Sequence, residues 1–166
     1  MPDNVRPIPE GYHSISPAIT CKNAAAAIDF YKEAFGATEM NRMPGPGGMV
    51  MHAELRIGDS VIFVSDEFPG MSAAPAAGVT PSYYLFLYTP DVDTVFNRAV
   101  AGGAQVSMPI TDMFWGDRYG KLTDPFGHSW GVATHVEDVA PDEMMCRSAE
   151  WTASMNKAAA ATAGQS

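Results

Sequence analysis

Apolar residues alternate along residues 14–20, which predicts a short strand, and then recur at helical spacing over 24–35. The helical positions share one face and are Ala24, Ile28, Tyr31 and Phe35. Asn23 is a residue type that caps helix N-termini, and Gly36 is the type that ends helices. Three further strand patterns follow, over 39–43, 49–57 and 60–65, with a turn pair at Gly58-Asp59. The first half therefore has the order βαβββ.

The second half repeats this order of elements. An aromatic strand pattern over 82–88 precedes a helix that Pro90-Asp91 opens and Gly102-Gly103 ends. The apolar side of this helix is predicted to be Val92, Val95, Phe96 and Ala99. Strand patterns then follow over 105–108, 118–123 and 128–135, with a turn at Asp124-Pro125-Phe126-Gly127. Because Ile28 and Val95 are 67 positions apart, as are Gly36 and Gly103, we interpret the halves as a tandem repeat.

We predict a single α+β domain over 12–139, built from two βαβββ modules. The modules span 12–66 and 81–136, and a linker over 67–80 is rich in alanine, proline and glycine without periodicity. After Pro141, residues at helical spacing predict a C-terminal helix over 140–157. Residues 158–166 are expected to be disordered.

Composition excludes several classes of function. The chain has 166 residues, 46% of them hydrophobic, and a net charge of −9. We expect no nucleic-acid partner, because phosphate recognition needs a basic surface. We also expect no membrane partner, since no apolar run reaches about 18 residues and the N-terminus lacks a signal-peptide pattern. Two distant cysteines, Cys21 and Cys146, do not form a disulfide framework, so we expect reduced thiols and a cytoplasmic location.

Three stretches of the sequence resemble one family. They are 23–37 (NAAAAIDFYKEAFGA), 52–60 (HAELRIGDS) and 115–130, which contains WGDRYG and DPFGHSW. Together with the repeat, they resemble the vicinal oxygen chelate superfamily of glyoxalases, bleomycin-resistance proteins and dioxygenases. The branch that they resemble is labelled 3-demethylubiquinone-9 3-methyltransferase-like. The resemblance implies that the mixed sheets of both modules are curved and together form a trough around a ligand cavity. We also expect a homodimer.

The metal positions of this superfamily are altered in the chain. Metal-dependent members place four ligands in the trough, usually His or Glu, on the first and last strand of each module. Offsets from the helices and turns put these positions at Ser16, Ile62, Tyr84 and Gly131. Isoleucine and glycine have no side chain that binds a metal. We therefore expect neither a metal at the usual place nor another cofactor.

Strand alternation predicts what lines the trough instead. Ser129 and Ala133 share the face of Gly131, whereas Phe86 shares the face of Tyr84, so a wall of small residues is opposite an aromatic wall. Such a lining suits a planar or apolar small molecule. The alternative is that the aromatic residues fill the trough themselves.

Two residues at the loop before the seventh predicted strand, 118–123, could also contact a ligand. Trp115 either closes over a ligand or fixes the loop, and Arg118 either binds an anionic group or forms an ion pair at a dimer contact. The predicted ligand-binding residues are Ser16, Ile62, Tyr84, Phe86, Trp115, Arg118 and Gly131.

His52 and Glu54 are the candidate catalytic residues. They lie two positions apart on one strand and therefore share a face. If that face lines the trough, the carboxylate could orient the imidazole as a general base, or both could bind a metal with a third group. The alternative is an ordinary solvent-exposed strand face.

We expect a metal-independent protein that binds a small molecule, as resistance proteins do when they sequester an antibiotic. The alternative is a lyase, isomerase or dioxygenase-like enzyme with a divalent ion at a rearranged site that includes His52 and Glu54. A third hypothesis, a transferase, rests on the branch label alone. Whether the chain is an enzyme stays open at this point, because one fold supports many reactions.

Overall fold

The computed structural model describes residues 5–163, with side chains for 5–157. The first module contains β1 (Ala18–Cys21), α1 (Ala24–Phe35), β2 (Thr38–Pro44), β3 (Val50–Ile57) and β4 (Ser60–Asp66), with a turn of 3-10 helix at Pro46–Gly48. The second contains β5 (Leu85–Tyr88), α2 (Val92–Ala101), β6 (Gln105–Asp112), β7 (Asp117–Thr123) and β8 (Ser129–His135). A helix, α3 (Pro141–Ala163), follows. The predicted α+β fold with a repeated βαβββ order is confirmed.

The two sheets have equivalent topologies. Their strand orders are β1-β4-β3-β2 and β5-β8-β7-β6. In each sheet the first strand runs parallel to the last, and the other neighbours are antiparallel. A parallel pair requires a long crossover connection, which contains α1 in the first module and α2 in the second. One face of each sheet therefore packs on helices, and the opposite face is left for a trough.

The helices begin and end where the sequence predicts, because of their capping residues. Asn23 accepts a hydrogen bond from the Ala26 N–H at 3.1 Å, and Gly36 ends α1 with a φ of 69°. Asp91 caps α2 through the Thr94 N–H at 3.0 Å. The predicted apolar residues of both helices are buried and belong to a core that includes strands of both sheets.

Two strands are shorter than their sequence patterns. β1 begins at Ala18 rather than at residue 14, and Ile15, which alternation places beside the core residue Ile19, is 84% exposed. Pro17 has no N–H to extend the ladder toward the N-terminus. β5 begins at Leu85 rather than at residue 82. Leu85 pairs with Trp130, the second residue of β8, so residues before Leu85 have little of β8 left to pair with.

Buried contacts between α1 and the second sheet join the two modules. Tyr31 and Phe35 pack on Trp130, with ring centroids 5.5 and 4.5 Å apart. The Tyr31 hydroxyl donates to Asp124 Oδ2 at 2.7 Å, and the Trp130 indole N–H donates to the same oxygen at 2.9 Å. Two backbone N–H groups of the following turn donate to Oδ1. The buried Asp124 carboxylate thus links the helix of one module to the β7–β8 turn of the other.

His128 provides a second buried link between the modules. Its Nε2 lies 3.0 Å from the Thr20 carbonyl oxygen, and its Nδ1 lies 3.2 Å from the Tyr83 hydroxyl. Nε2 therefore donates to the carbonyl oxygen, which can only accept. Cys21 lies beside it, with Sγ 3.6 Å from Nε2, and burial raises the pKa of the thiol to about 12. Cys21 is accordingly a protonated packing residue rather than a nucleophile.

The C-terminal helix α3 is present where a helix over 140–157 is predicted, and its backbone continues to Ala163. It contacts the body through Trp151, whose ring lies 5.5 Å from that of Phe114, and through Arg147, which pairs with Glu137 at 2.8 Å. Disorder is expected for 158–166, but the backbone of 158–163 continues α3, and residues 164–166 lie outside the described part of the chain. None of the described helices combines the length and the apolar content of a membrane span.

The link at Asp124 yields a prediction about stability. Tyr31→Phe removes one donor to a buried carboxylate, which we expect to lower the free energy of unfolding by about 1.5–3 kcal/mol. Tyr84→Phe, at a ring that is 47% exposed, is the control and should change it by less than about 0.5 kcal/mol. Urea denaturation followed by circular dichroism measures both, and equal effects would contradict the proposed importance of the link.

Candidate functional site

Strand register defines the face of each sheet that points away from the helices, which we call trough face 1 and trough face 2. On trough face 2, Gly131 of β8 lies between Phe86 of β5 and Lys121 of β7. On trough face 1, Phe63 of β4 lies between Ala18 of β1 and Glu54 of β3. Phe63 and Gly131 are therefore the equivalent positions of the two last strands.

This register corrects the predicted orientation of Ile62. Counting from Gly58 puts Ile62 at the position that matches Gly131, but its side chain points to the helices, pairs with Leu55 and is 5% exposed. Counting from these two glycines fails because they are not equivalent. Gly58 is the first residue of the short β3–β4 turn, whereas Gly127 comes near the end of the longer β7–β8 turn. A shift of one residue along a strand moves a side chain to the other face.

Aromatic side chains occupy much of trough face 2. Tyr119 stacks on Phe86, with centroids 5.5 Å apart and planes 9° apart. A β-carbon at Gly131 would lie 2.8 Å from Tyr119 Cε2 and 3.2 Å from Tyr84 Cε2. The space beside Gly131 that the sequence predicts as free volume is thus taken by rings. A row of three rings along β5, here called the aromatic row, keeps an exposed side: Tyr84, Phe86 and Tyr88.

A cleft of about 580 Å³ lies between the aromatic row and the β3–β4 hairpin, and we call it the module cleft. The predicted ligand-binding residues Ile62, Tyr84 and Phe86 line it. Phe35 and Trp130 contribute from the helix side. The module cleft therefore has an aromatic and aliphatic lining contributed by both modules. Ser16, Trp115, Arg118 and Gly131 do not line it.

Trp115 and Arg118 are held by contacts within the chain. The Trp115 indole N–H donates to Asp117 Oδ2 at 2.9 Å, which fixes the loop rather than leaving the ring free. The Arg118 guanidinium binds Asp93 through two hydrogen bonds of 2.8 Å and Asp112 through one of 3.0 Å. Arg118 thus points to α2, away from trough face 2, where it was predicted to bind a ligand.

The candidate residues His52 and Glu54 do share trough face 1. His52 Nε2 lies 3.3 Å from Glu54 Oε1, and the Tyr12 hydroxyl donates to the other carboxylate oxygen. The hydrogen bond from Tyr12 lowers the pKa of Glu54, with a smaller contribution from His52. Tyr12 belongs to the segment before β1, which covers this face, and a pocket of about 520 Å³ there is lined by Tyr12, Ser16, Glu54 and Phe63.

A metal site would need a third ligand beside His52 and Glu54. Within residues 5–163, no group of three His, Cys, Asp or Glu side chains is arranged to hold a metal ion. The superfamily positions in the structure are Ser16, Phe63, Tyr84 and Gly131. Serine and tyrosine hydroxyls are poor ligands for a divalent ion, and phenylalanine and glycine offer none. The residues present therefore do not match the superfamily's metal site.

Sequence reasoning missed a polar cluster at one end of trough face 2. The buried Asp117 accepts hydrogen bonds from Tyr88 and Trp115 at 2.9 Å each and binds His135 Nδ1 at 2.8 Å. His135 Nε2 lies 3.1 Å from Asp138 Oδ1. Asp117 pairs with His135 across β7 and β8, in the register that also pairs Thr123 with Ser129. The two strands pair symmetrically about the turn at 124–128, so the sequence positions alone would have predicted that Asp117 and His135 are neighbours.

Comparison with known proteins identifies the family. The family model of the Glyoxalase/Bleomycin resistance protein/Dioxygenase superfamily matches residues 13–132. An uncharacterised protein of Mycobacterium bovis is 43% identical over 136 residues, which cover 79% of this chain and 89% of the relative. The match to the family model spans both βαβββ modules.

Solved structures show the same fold. TioX from Micromonospora is 26% identical, with a TM-score of 0.60 over 75% of this chain and 99% of its own. A Bacillus cereus PhnB protein, named as a candidate 3-demethylubiquinone-9 3-methyltransferase, is 20% identical, with a TM-score of 0.60 over 74% of this chain and 99% of its own. At that identity the second likeness concerns the fold alone. The chain belongs to the glyoxalase/bleomycin resistance protein/dioxygenase superfamily.

Proposed function

We propose that this protein binds a planar, apolar small molecule in the module cleft without using a metal ion. The observation that carries the proposal is the cleft itself, about 580 Å³ in volume and lined by rings from both modules. Drug-sized ligands occupy pockets of this size, and aromatic walls favour planar molecules because rings stack on them. Sequestration of an antibiotic is one role that such binding would serve.

The aromatic row supports this proposal through its exposure. Tyr84 and Phe86 are 47% and 42% exposed, so both rings can gain contact area when a ligand enters. Lys121 Nζ lies 4.6 Å from the centre of the Tyr84 ring on trough face 2, so this ring already contacts a cation there.

Metal independence is supported by the side chains at the four superfamily positions. They are a serine, a phenylalanine, a tyrosine and a glycine, which do not compose a site for a divalent ion. A reducing cytoplasmic location is supported by two free cysteines, Cys21 and Cys146. The net charge of −9 argues against nucleic acid as a partner.

We also propose a homodimer. Large apolar side chains remain exposed on strands of both sheets, and covering them would lower their contact with water. They include Met40, Met43 and Met51 of the first sheet and Val106 of the second. Strands β2 and β6 are sheet edges, where unpaired backbone groups can meet a second chain.

Ligand binding can be tested with a thermal-shift screen of planar aromatic compounds, naphthoquinones included. A ligand at a hundredfold excess over its Kd should stabilise the native protein by about 2.7 kcal/mol. Tyr84→Ala should weaken the affinity about two- to tenfold, because one ring contact is worth about 0.5–1.5 kcal/mol. Isothermal titration of the best compound measures the change.

The neighbouring residue supplies the matched control for this experiment. Tyr83 is also 47% exposed, but it does not line the module cleft. Tyr83→Ala should therefore leave the affinity unchanged, with each thermal shift measured against the ligand-free variant. Equal losses in the two variants would place the ligand elsewhere, and a screen without any binding compound would contradict the proposal.

The second candidate function is a metal-dependent lyase, isomerase or dioxygenase-like reaction at His52 and Glu54. The observation in its favour is their hydrogen bond, which lies beside a pocket of about 520 Å³. Plasma emission analysis of purified, dialysed protein distinguishes the candidates, and we expect well under one divalent ion per chain. A stoichiometric ion that His52→Ala removes, and that Glu33→Ala at an exposed position of α1 retains, would favour the enzyme.

The homodimer and the contribution of α3 can be tested together. Size-exclusion chromatography with light scattering should give twice the mass of one chain. Deletion of all residues after Val139 removes the contacts of Trp151 and Arg147, and Tm should fall by about 2–4 °C for each kcal/mol lost. Met145→Ala, at a side chain of α3 that is 75% exposed, is the control and should leave Tm unchanged. A monomer whose truncation melts like the parent would refute both claims.

A further inference from the structure

We propose that the end of trough face 2 is a second binding site, which takes an acidic phenol as its phenolate. In this site the phenolate oxygen pairs with Nε2 of protonated His135, and the aromatic ring of the ligand lies against Tyr88. The site is distinct from the module cleft, although Tyr88 borders both, and it does not depend on the function proposed above.

The imidazole of His135 is held in a fixed orientation by a buried carboxylate. Asp117 is 2% exposed, and its Oδ1 lies 2.8 Å from His135 Nδ1. Its Oδ2 accepts hydrogen bonds from the Tyr88 hydroxyl and the Trp115 indole N–H. Because Oδ1 is committed to Nδ1, Nε2 is the nitrogen left to meet a ligand. The half-exposed imidazole therefore presents one defined donor at the surface of the trough.

The backbone around Asp117 keeps this arrangement in place. A β-carbon at Gly116, where φ is 93°, would lie 2.0 Å from the Glu137 carbonyl oxygen, so only glycine fits there. The Gly116 carbonyl oxygen accepts hydrogen bonds from the N–H groups of Val136 and Glu137. The loop before β7 is thus tied to the residues that follow His135, which orients the donor before any ligand arrives.

The position opposite Nε2 already contains an anionic oxygen from the chain itself. Asp138 Oδ1 lies 3.1 Å from Nε2, yet the Asp138 side chain is fully exposed and can turn into solvent. A phenolate that replaces it takes over the ion pair with the imidazolium, while the Asp138 carboxylate remains hydrated. Unlike the Asp138 carboxylate, a phenolate brings a ring that can stack on Tyr88, which is 61% exposed.

The charges around His135 favour its protonated form. The hydrogen bonds to Asp117 and Asp138 raise the pKa of His135. The nearest other charges are paired elsewhere, since Glu137 binds Arg147 of α3. Tyr88 faces the same carboxylate, and its pKa is raised by Asp117, so it remains a neutral donor. The site therefore offers a cation flanked by a buried anion and neutral donors.

The phenol loses its proton when it binds, and the acceptor of that proton depends on pH. Above the pKa of His135, the O–H bond of the phenol breaks and its proton bonds to the lone pair of Nε2. Below that pKa, Nε2 already carries a proton, and the phenol releases its own to water. Both routes end in a phenolate–imidazolium pair. A bound phenol must therefore titrate at a lower pH than the free phenol.

Umbelliferone, an acidic phenol whose anion has its own absorbance band, and its O-methyl ether form a matched probe pair. Equilibrium dialysis should show that the parent binds umbelliferone about tenfold or more tightly than the ether, as expected for a hydrogen bond to a charged group. Absorbance titration should show a lower pKa for the bound dye. His135→Gln should abolish both effects and leave the affinity for the ether unchanged.

Two further variants separate binding at His135 from a purely structural role. Asp138→Ala removes the competing carboxylate and should maintain or increase the affinity for umbelliferone. His13→Gln, at an exposed histidine outside the cluster, should change neither affinity nor dye pKa. Equal affinities of the parent for both probes, or a preference that survives His135→Gln, would overturn the proposal. Failure of both probes to bind would also overturn it, while compounds that bind the module cleft would still support the proposed function.

Discussion

The buried carboxylate of Asp124 is the interaction on which the arrangement of the two modules depends. A charged group can remain in a core only when donors surround it, and here they come from Tyr31, Trp130 and the turn itself. Tyr31 belongs to the first module and the other donors to the second. The carboxylate therefore fixes both the β7–β8 turn and the position of α1 across the second sheet, and α1 in turn supplies Phe35 to the module cleft.

The two trough faces differ in chemistry although the modules share one topology. Trough face 1 contains the pair His52 and Glu54, and the segment that includes Tyr12 covers it. Trough face 2 contains stacked rings, with its charged groups at the end near Asp117. A duplicated fold requires equivalence only in the core, where packing on the helices restricts residue type. The opposite faces are free to differ, and there the two modules have acquired separate properties.

The sequence predicts the fold well and the site only in part. Helix limits depend on local signals such as Asn23 and Gly36, and these act the same way in any context. The face of a last-strand residue depends on register, so the uncertain turn equivalence at Gly58 misplaced Ile62. Arg118 has the chemistry for an anionic ligand, but its partner Asp93 is 25 residues away and was not evident from local spacing. Local sequence patterns thus do not predict contacts between residues that are distant in the sequence.

The polar cluster of Asp117 and His135 lies away from the four positions that correspond to the superfamily's metal site. Phe63 and Gly131 are central in β4 and β8, whereas Ser16 and Tyr84 come just before β1 and β5. At Gly131 a bound ion would have to displace the ring of Tyr119. His135 instead ends β8, and the loops beside a strand end supply partners such as Trp115 and Asp138. A residue at a strand end can have a buried partner on one side and solvent on the other. That combination suits an imidazole that must both be oriented and exchange a proton with a ligand.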